Sequence, residues 1–364
     1  MPNFELGVGF ASMDWSNVDG RIAPNGCTWY RCMLPARELM KSRIETNVGF
    51  LNIRPNGMFA IRRPNDTRSR SYKIIVLKVI MAQSVLNQMD IAQTKGQKIV
   101  VDIDDLHEEL HETNLAYEST GASKNKQENR EVYKEIIAKS DALICSTPFI
   151  SDYYKNKHPD KPIFMIRNAI DTDRWTRFNA VKRKPIIGWL GATPWRSLDL
   201  EQLAEFFGEY LESRDATFHH SGHINWAPPA FVKLGITNKK RVTATGMVPL
   251  FELPRTYANF DIGIVPLNDI PFNRAKSYIK GLEYAAAGIP FVASPLPEYK
   301  YLSEQGIGRI AHTKEEWINH FDELLDSQMR QKESVLNRQI LDDNFTINSA
   351  AQTWISTFKG IAKL

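Results

Sequence analysis

The chain has 364 residues, with 46 Lys and Arg against 42 Asp and Glu, 43% hydrophobic residues and a formal net charge of +4. This length predicts two domains and this composition a substantial core, while so small a basic excess excludes the charged stripe of a nucleic-acid binder. Three cysteines, Cys27, Cys32 and Cys145, exclude a disulfide framework and a four-ligand zinc site and fit a reducing compartment.

In chain order, the opening MPNFELGVGFASMDW has no basic segment followed by an apolar run, so no signal peptide is read there. Strand-length apolar runs follow: FELGVGFA, YKIIVLKV, KIVVDID, ALICST and PIFMIR in the first half, then PIIGWLG, ATFHHSG, RVTATG, DIGIVPL, PFVAS and GRIA. Such runs suit parallel strands covered on both faces. The longest apolar run, 74–82, is interrupted by Lys78 and too short to span a bilayer. A soluble, cytoplasmic protein is expected, with membrane contact at most peripheral.

Between the runs lie helical patterns. In LDLEQLAEFFGEYLESR, Leu200, Leu203, Phe206, Phe207, Tyr210 and Leu211 fall on one face. The repeated alternation predicts a doubly wound α/β fold. It restarts after the polar stretch 167–185, read as a domain boundary that separates two Rossmann-like halves facing each other across a cleft. The basic run 61–73 is read as a solvated loop and the charged segment 106–135 as a mobile loop leading into a helix. Within the latter, His107, Glu108 and His111 spell H-E-x-x-H, but without a third ligand the solvated reading is preferred to zinc.

The most informative stretch is 261–299, DIGIVPLNDIPFNRAKSYIKGLEYAAAGIPFVASPLPEY. A strand ends near Leu267, and a helix is expected from Lys276 to Ala287, stopped by Gly288. Lys276, Lys280 and Glu283 would share one helix face. Lys276 and Ser277 at the helix start could hold a diphosphate, with Glu283 accepting from ribose hydroxyls. The competing reading is a solvent-facing stripe with an ordinary Lys–Glu pair.

PFNRAKSYIKGLEYAAAGIPFVAS resembles the signature of the large retaining glycosyltransferase family of GT-B fold, often called group 1. The resemblance covers most of the chain, strongly over 185–300. It implies an N-terminal acceptor-side domain over 1–170, a nucleotide-sugar-binding domain over 171–345 and a C-terminal helix over 346–364 able to return to the first domain. It places Glu283 on the donor ribose. The sequence departs from the family at Ala275, where a glutamate is usual, and Asn273 or the Lys276–Ser277 pair is the expected substitute. GWLGATPWRSLDLEQL resembles the family's glycine loop, so Gly191 would allow close backbone approach to phosphate and Arg196 would grip the diphosphate. Gly246 would flank the nucleotide base.

On the acceptor side, NGCTWYRCMLPARELMKS matches the place where relatives line the site with a glycine turn, giving Gly26, Tyr30 and Arg31 as candidates. An arginine and aromatic packing a helix start is the alternative. The strand end DIDD puts Asp104 where the family carries a histidine near the reacting sugar, with Asp105 beside it. Clustered aspartates could hold Mg²⁺, but the resemblance implies no metal and no cofactor, with basic groups neutralising the diphosphate. Asp104, Arg196 and Lys276 are therefore the catalytic candidates for transfer from a nucleotide-diphosphate-sugar to an acceptor hydroxyl with retention. An inverting enzyme, an epimerase, or an inert carbohydrate- or protein-binding module are the alternatives. The acceptor, whether glycan, lipid-linked sugar, metabolite or protein, is not identified by the sequence.

Overall fold

The computed structural model describes residues 4–120, 128–175, 184–196, 198–222 and 229–364. The chain divides into two compact units, one of residues 1–109, 119–170 and 347–364, the other of 110–118 and 171–346.

The first unit contains β1 (Leu6–Ser12), β2 (Trp15–Val18), β3 (Arg21–Pro24), β4 (Ile44–Ile53), β5 (Phe59–Arg62), β6 (Ser69–Arg70), β7 (Ile74–Lys78), β8 (Lys98–Ile103), β9 (Ala142–Cys145) and β10 (Ile163–Met165). Eight of these form one sheet in the order β10-β9-β8-β7-β1-β4-β5-β6, while β2 and β3 pair as a separate hairpin. From β10 to β4 every pairing is parallel, and β5 and β6 extend the edge antiparallel. Counting only the parallel strands in chain order, the arrangement is 2-1-3-4-5-6, which reverses direction between β1 and β7.

The second unit holds β11 (Ile186–Leu190), β12 (Thr217–Ser221), β13 (Val242–Thr245), β14 (Ile262–Val265), β15 (Phe291–Ala293) and β16 (Arg309–Ile310). They form an all-parallel sheet in the order β13-β12-β11-β14-β15-β16, the 3-2-1-4-5-6 order of a dinucleotide-binding fold, with its reversal between β11 and β14. Its core gathers Ile187, Phe207, Phe218, Ile262, Val292 and Phe321.

All eleven apolar runs are strands, and the doubly wound α/β expectation holds. Four elements were not anticipated: the β2–β3 hairpin, β4, β5 and β6. Buried polar residues interrupt the apolar pattern of β4, and local bonds satisfy them. The Thr46 hydroxyl donates to the Ala36 carbonyl (3.1 Å), and Asn47 Oδ1 accepts from Arg63 Nε (2.7 Å). The basic run 61–73 is an irregular, largely exposed connection over 63–68, as expected for a solvated loop, but its residues 61–62 and 69–70 pair as the edge strands β5 and β6. The 198–214 pattern buries its expected face but splits into a 3₁₀ turn, Leu200–Leu203, and a helix, Phe207–Ser213.

The expected loop over 106–135 contains a 3₁₀ turn, His107–Glu109, and helices Leu115–Thr120 and Asn129–Lys139, while 121–127 lie outside the described residues. Within it the Glu108 side chain is 4% exposed and accepts from Tyr154 Oη (2.8 Å) and Lys157 Nζ (2.7 Å), and His107 and His111 share no helix. Residues 176–183 of the boundary stretch also lie outside the described residues. Three helices end the chain: Lys314–Leu325, capped by Thr313; Ser327–Asn344, capped by Asp326; and Ile347–Ile361, which packs in the first unit. Among the described residues no helix is long and apolar enough to cross a membrane.

Candidate functional site

Ligands of doubly wound sheets bind outside the carboxyl ends of the strands where strand order reverses. In the second unit that point lies between β11 and β14, and the loop after each carries several of the expected residues.

After β11, the Gly191 amide donates to the Ser221 carbonyl (2.9 Å), and its carbonyl lies 3.0 Å from His220 Nε2. A Cβ on Gly191 would fall 2.7 Å from the Trp189 ring, and one on Gly222 (φ +154°) only 1.8 Å from the Gly191 carbonyl oxygen. Glycine is therefore required for the two loops to close together. Arg196 follows a 3₁₀ turn, Thr193–Trp195, and sets its guanidinium over the Trp189 ring, 5.7 Å from the centroid. Its Nε makes no hydrogen bond among the described residues.

After β14 the chain makes a short helix, Pro271–Arg274, and then the helix Ile279–Ala287. The expected start at Lys276 is corrected: Lys276 and Ser277 lie in the connecting loop. The Lys276 amide closes a turn onto the Asn273 carbonyl (3.0 Å), so helical bonding resumes only after Tyr278. Lys276 Nζ sits 4.2 Å from the Phe272 ring centroid. Gly288, at φ +74°, ends the helix in the left-handed conformation, as its sequence position implied.

On that helix the solvent-facing stripe is also corrected. Glu283 is 5% exposed and accepts from Tyr257 Oη (2.6 Å) and Lys280 Nζ (3.4 Å). Burial lowers the Lys280 pKa, the nearby Arg196 charge lowers it further, and Glu283 opposes both. Arg196, Lys280 and Glu283 therefore form one electrostatic cluster beside the β11–β14 reversal. Tyr284 anchors the same helix, its hydroxyl within 3.1 Å of the Gly188 carbonyl and 3.2 Å of Ile264's.

Asn273 is 1% exposed. Its Nδ2 donates to Asp199 Oδ1 (2.6 Å) and the Asn268 carbonyl (2.9 Å), and the Asn268 amide reaches the same Asp199 oxygen (3.0 Å). It braces the two loops against each other. Ala275 is fully buried. Gly246 follows β13, where an added Cβ would meet nothing within 4 Å, so no close approach demands glycine there.

In the first unit the reversal between β1 and β7 is occupied by charge. Arg31 is 1% exposed and forks onto Asp102, with Nη2 at 2.7 Å and Nε at 3.1 and 3.2 Å, while Nη1 donates to Ile166 O (2.7 Å) and Asn168 Oδ1 (3.1 Å). Its guanidinium also lies 5.0 Å from the Trp354 ring centroid. Arg31 is thus braced in the interior by Asp102, Ile166 and Asn168, in keeping with the packing alternative. Tyr30, 6% exposed, is likewise core.

Lys78, fully buried at the end of β7, lies 3.5 Å from Asp102 Oδ1 and pairs with Asp104 Oδ1. Two cations and two carboxylates thus neutralise one another, and Asp104, 10% exposed, is the member nearest solvent. Burial pushes the Asp104 carboxyl up, but the Lys78 charge, its hydrogen bond and one from Cys27 outweigh burial and bring the pKa down to about 2. Burial and then the Asp104 and Asp14 charges hold the Cys27 thiol well above its ordinary value. Asp105 is half-buried beside the network.

Gly26 opens a helical stretch over 26–41 whose start is held by Asp14: Oδ2 accepts from the Cys27 (2.9 Å) and Thr28 (3.3 Å) amides. No three His, Cys, Asp or Glu side chains among the described residues gather as a metal cluster. Sequence reasoning missed Lys78, Asp14, Tyr257 and Asp199 as site residues. Lys78 had a visible signal, a lysine inside an otherwise apolar strand. Tyr257 had none, standing 26 residues from the carboxylate it meets.

These sheets place the protein in the GT-B class of α/β folds. Over 98% of the chain it superposes on a sucrose-phosphate synthase of Thermosynechococcus elongatus with a TM-score of 0.65, covering 99% of that chain at 13% identity. It superposes on Anabaena HepE, solved with UDP-glucose, with a TM-score of 0.62, covering 98% of this chain and all of the other at 14% identity. Residues 184–327, which make up most of the second unit, match the model of the family described as glycosyl transferases group 1. A protein of Bacillus subtilis (strain 168), TuaH, named as a teichuronic acid biosynthesis glycosyltransferase, is 28% identical over 182 residues. The match spans 44% of this chain and 42% of that relative.

Proposed function

We propose that the protein is a glycosyltransferase that moves a sugar from a nucleotide-diphosphate-sugar to an acceptor hydroxyl, with retention and without a metal. The observation that carries this reading is the cluster of Arg196, Lys280 and Glu283 beside the strand-order reversal of a 3-2-1-4-5-6 sheet. Glu283, steadied by Tyr257, is an acceptor suited to ribose hydroxyls. Arg196 and Lys280, with Lys276 on the adjoining loop, supply the positive field a leaving diphosphate requires. Gly191 lets backbone close on the phosphates.

In the transfer, the bond from the anomeric carbon to the diphosphate oxygen breaks as the acceptor oxygen bonds to the same face. The departing phosphate oxygen takes the acceptor's proton. Asp104, kept ionised by Lys78, orients a sugar or acceptor hydroxyl. The group 1 match over 184–327 supports the donor half of the reading, and UDP-sugars are the first donors to try because HepE was solved with UDP-glucose.

Ala275 favours a second reading, a binding module without turnover, because only a methyl stands at the position where the resemblance expects a sugar-contacting glutamate. Calorimetric titration with UDP-, GDP-, ADP- and TDP-sugars tests both. Binding of one of them followed by release of nucleotide with an acceptor panel supports transfer, and NMR of the product anomer tests retention. Binding without turnover favours the module, and failure of all four at millimolar concentration rejects both.

A further inference from the structure

The stretch 110–118 directly follows the turn His107–Glu109 in the chain, yet it packs in the second unit. It holds most of the short helix Leu115–Thr120, and the residue just before that helix, Asn114, is 2% exposed. Both ends of the Asn114 carboxamide are engaged. Oδ1 accepts from the Ala116 amide (3.0 Å), as an N-cap does, and Nδ2 donates to the Trp195 carbonyl (3.1 Å). An acceptor faces an N–H and a donor faces a C=O, so the amide has one satisfied orientation. Capping needs only the first of these contacts. The second reaches a residue 81 positions away.

Trp195 closes the 3₁₀ turn Thr193–Trp195, and Arg196 is the next residue. The Trp195 amide donates to the Ala192 carbonyl (3.3 Å) and the Arg196 amide to the Thr193 carbonyl (3.1 Å). Carbonyls at the end of such a turn have no partner inside it, and Asn114 supplies one for Trp195. Two residues beyond Arg196, exposed Leu198 stands at φ +61°, a left-handed conformation uncommon for a bulky side chain. The loop is anchored at its two ends, by the Gly191 amide on the Ser221 carbonyl (2.9 Å) and by Asp199 on Asn268 and Asn273. Between those anchors the Trp189 ring sets the Arg196 side chain, and the Asn114 contact holds the backbone just before it.

We infer that Asn114 is a positioning residue for Arg196, acting through the Trp195 carbonyl to fix the backbone from which the guanidinium reaches a diphosphate. A preformed loop spares the ordering that binding otherwise has to supply, and a planar guanidinium fork gains more from this than a flexible amine does. The inference rests on the proposed role of Arg196 at the donor diphosphate.

Calorimetry on the full chain with UDP, GDP, ADP and TDP tests it, because these probes read the grip on diphosphate without a sugar. Asn114→Ser keeps a capping oxygen but no amide to reach Trp195, and Asn114→Asp keeps the cap while turning a carboxylate oxygen on that carbonyl. Both are expected to melt as the unsubstituted protein does. The nucleotide that binds is expected to bind Asn114→Ser roughly fivefold more weakly, the size of one hydrogen bond, and Asn114→Asp at least as weakly. An Arg196→Lys background replaces the fork with a flexible stem that depends less on where the backbone lies. There the further loss from Asn114→Ser is expected to fall below roughly twofold. A merely structural role would give equal losses in both backgrounds. Equal losses, unchanged affinity, or a lowered melting temperature in both Asn114 variants would each overturn the inference. Nucleotide binding that is insensitive to Asn114→Ser removes this inference alone, whereas an unsubstituted protein that binds none of the four removes the donor reading and the inference with it.

Discussion

Lys78 is enclosed on all sides and touches both Asp102 and Asp104, so replacing it leaves carboxylates without a counter-charge in the interior. Lys78→Met is expected to destabilise the protein by about 3–5 kcal/mol, the usual consequence of breaking a buried pair from one side. The pH dependence gives a second readout. The folded-state pKa of Asp104 lies near 2, below the ordinary carboxylate value of about 3.9. Its ionised form therefore stabilises the fold above about pH 4, and that contribution fades as pH falls toward 2. In Lys78→Met burial loses its largest opponent, and the acid limb of a stability-against-pH curve moves to higher pH. Identical denaturation curves for both proteins from pH 2 to 7 would show that the pairing contributes nothing. Tyr257 acts on the other unit in a comparable way. Tyr257→Phe removes the 2.6 Å hydrogen bond to Glu283 and leaves that carboxylate with Lys280 at 3.4 Å. A hydrogen bond to a charged group contributes about 1.5–3 kcal/mol. Donor affinity measured by calorimetry is expected to drop by roughly tenfold or more, and an unchanged affinity would separate Glu283 from donor binding.

Among the elements, β4 and β5 show how a single missing methyl sets a sheet edge. A Cβ on Gly49 would sit 2.1 Å from the Arg62 carbonyl oxygen and 3.0 Å from the Arg63 Cα, and backbone cannot rotate away. Gly49→Ala is expected to cost about 1–3 kcal/mol or more by forcing the β4–β5 pairing apart. Gly26→Ala is the control, since its Cβ meets nothing within 4 Å. Equal melting temperatures for the two variants would contradict this account. The donor-side helix shows a related limit on sequence reading. Its end was legible because Gly288 must adopt positive φ, a local requirement. Its start was misplaced by three residues because the turn around Asn273 depends on Asp199, 74 positions earlier. The charges of the 61–73 run suggested solvent, which holds for 63–68, but buried Phe59 to Ile61 carry the start of the run into the sheet, where Ile61 and Arg62 pair with Ser69 and Arg70.

For the fold as a unit, the last helix matters beyond its length. Ile347–Ile361 packs in the first unit, with Trp354 1% exposed and stacked on Phe358, whose ring meets Phe10 edge-on at 5.7 Å. Trp354→Ala removes this packing and the ring beneath Arg31. A loss of about 3–5 kcal/mol is expected, a large part of the 5–15 kcal/mol typical of a folded protein. Urea denaturation monitored in the far ultraviolet checks it, and a loss below about 1 kcal/mol would mean the site repacks.

By itself, the amino-acid sequence determined the doubly wound α/β class, the positions of the apolar parallel strands and the location of the loop and helix that carry Glu283. Those features follow from periodicity and turn chemistry, which act over a few neighbouring residues. Only the tertiary structure decided that Arg31 is a buried brace on Asp102, 71 positions away, that Lys78 holds Asp104, and that Asn273 ties two loops together. A charged side chain reads the same in sequence whether it faces water or a distant counter-charge, and its environment is set by which strands become neighbours when the sheets form.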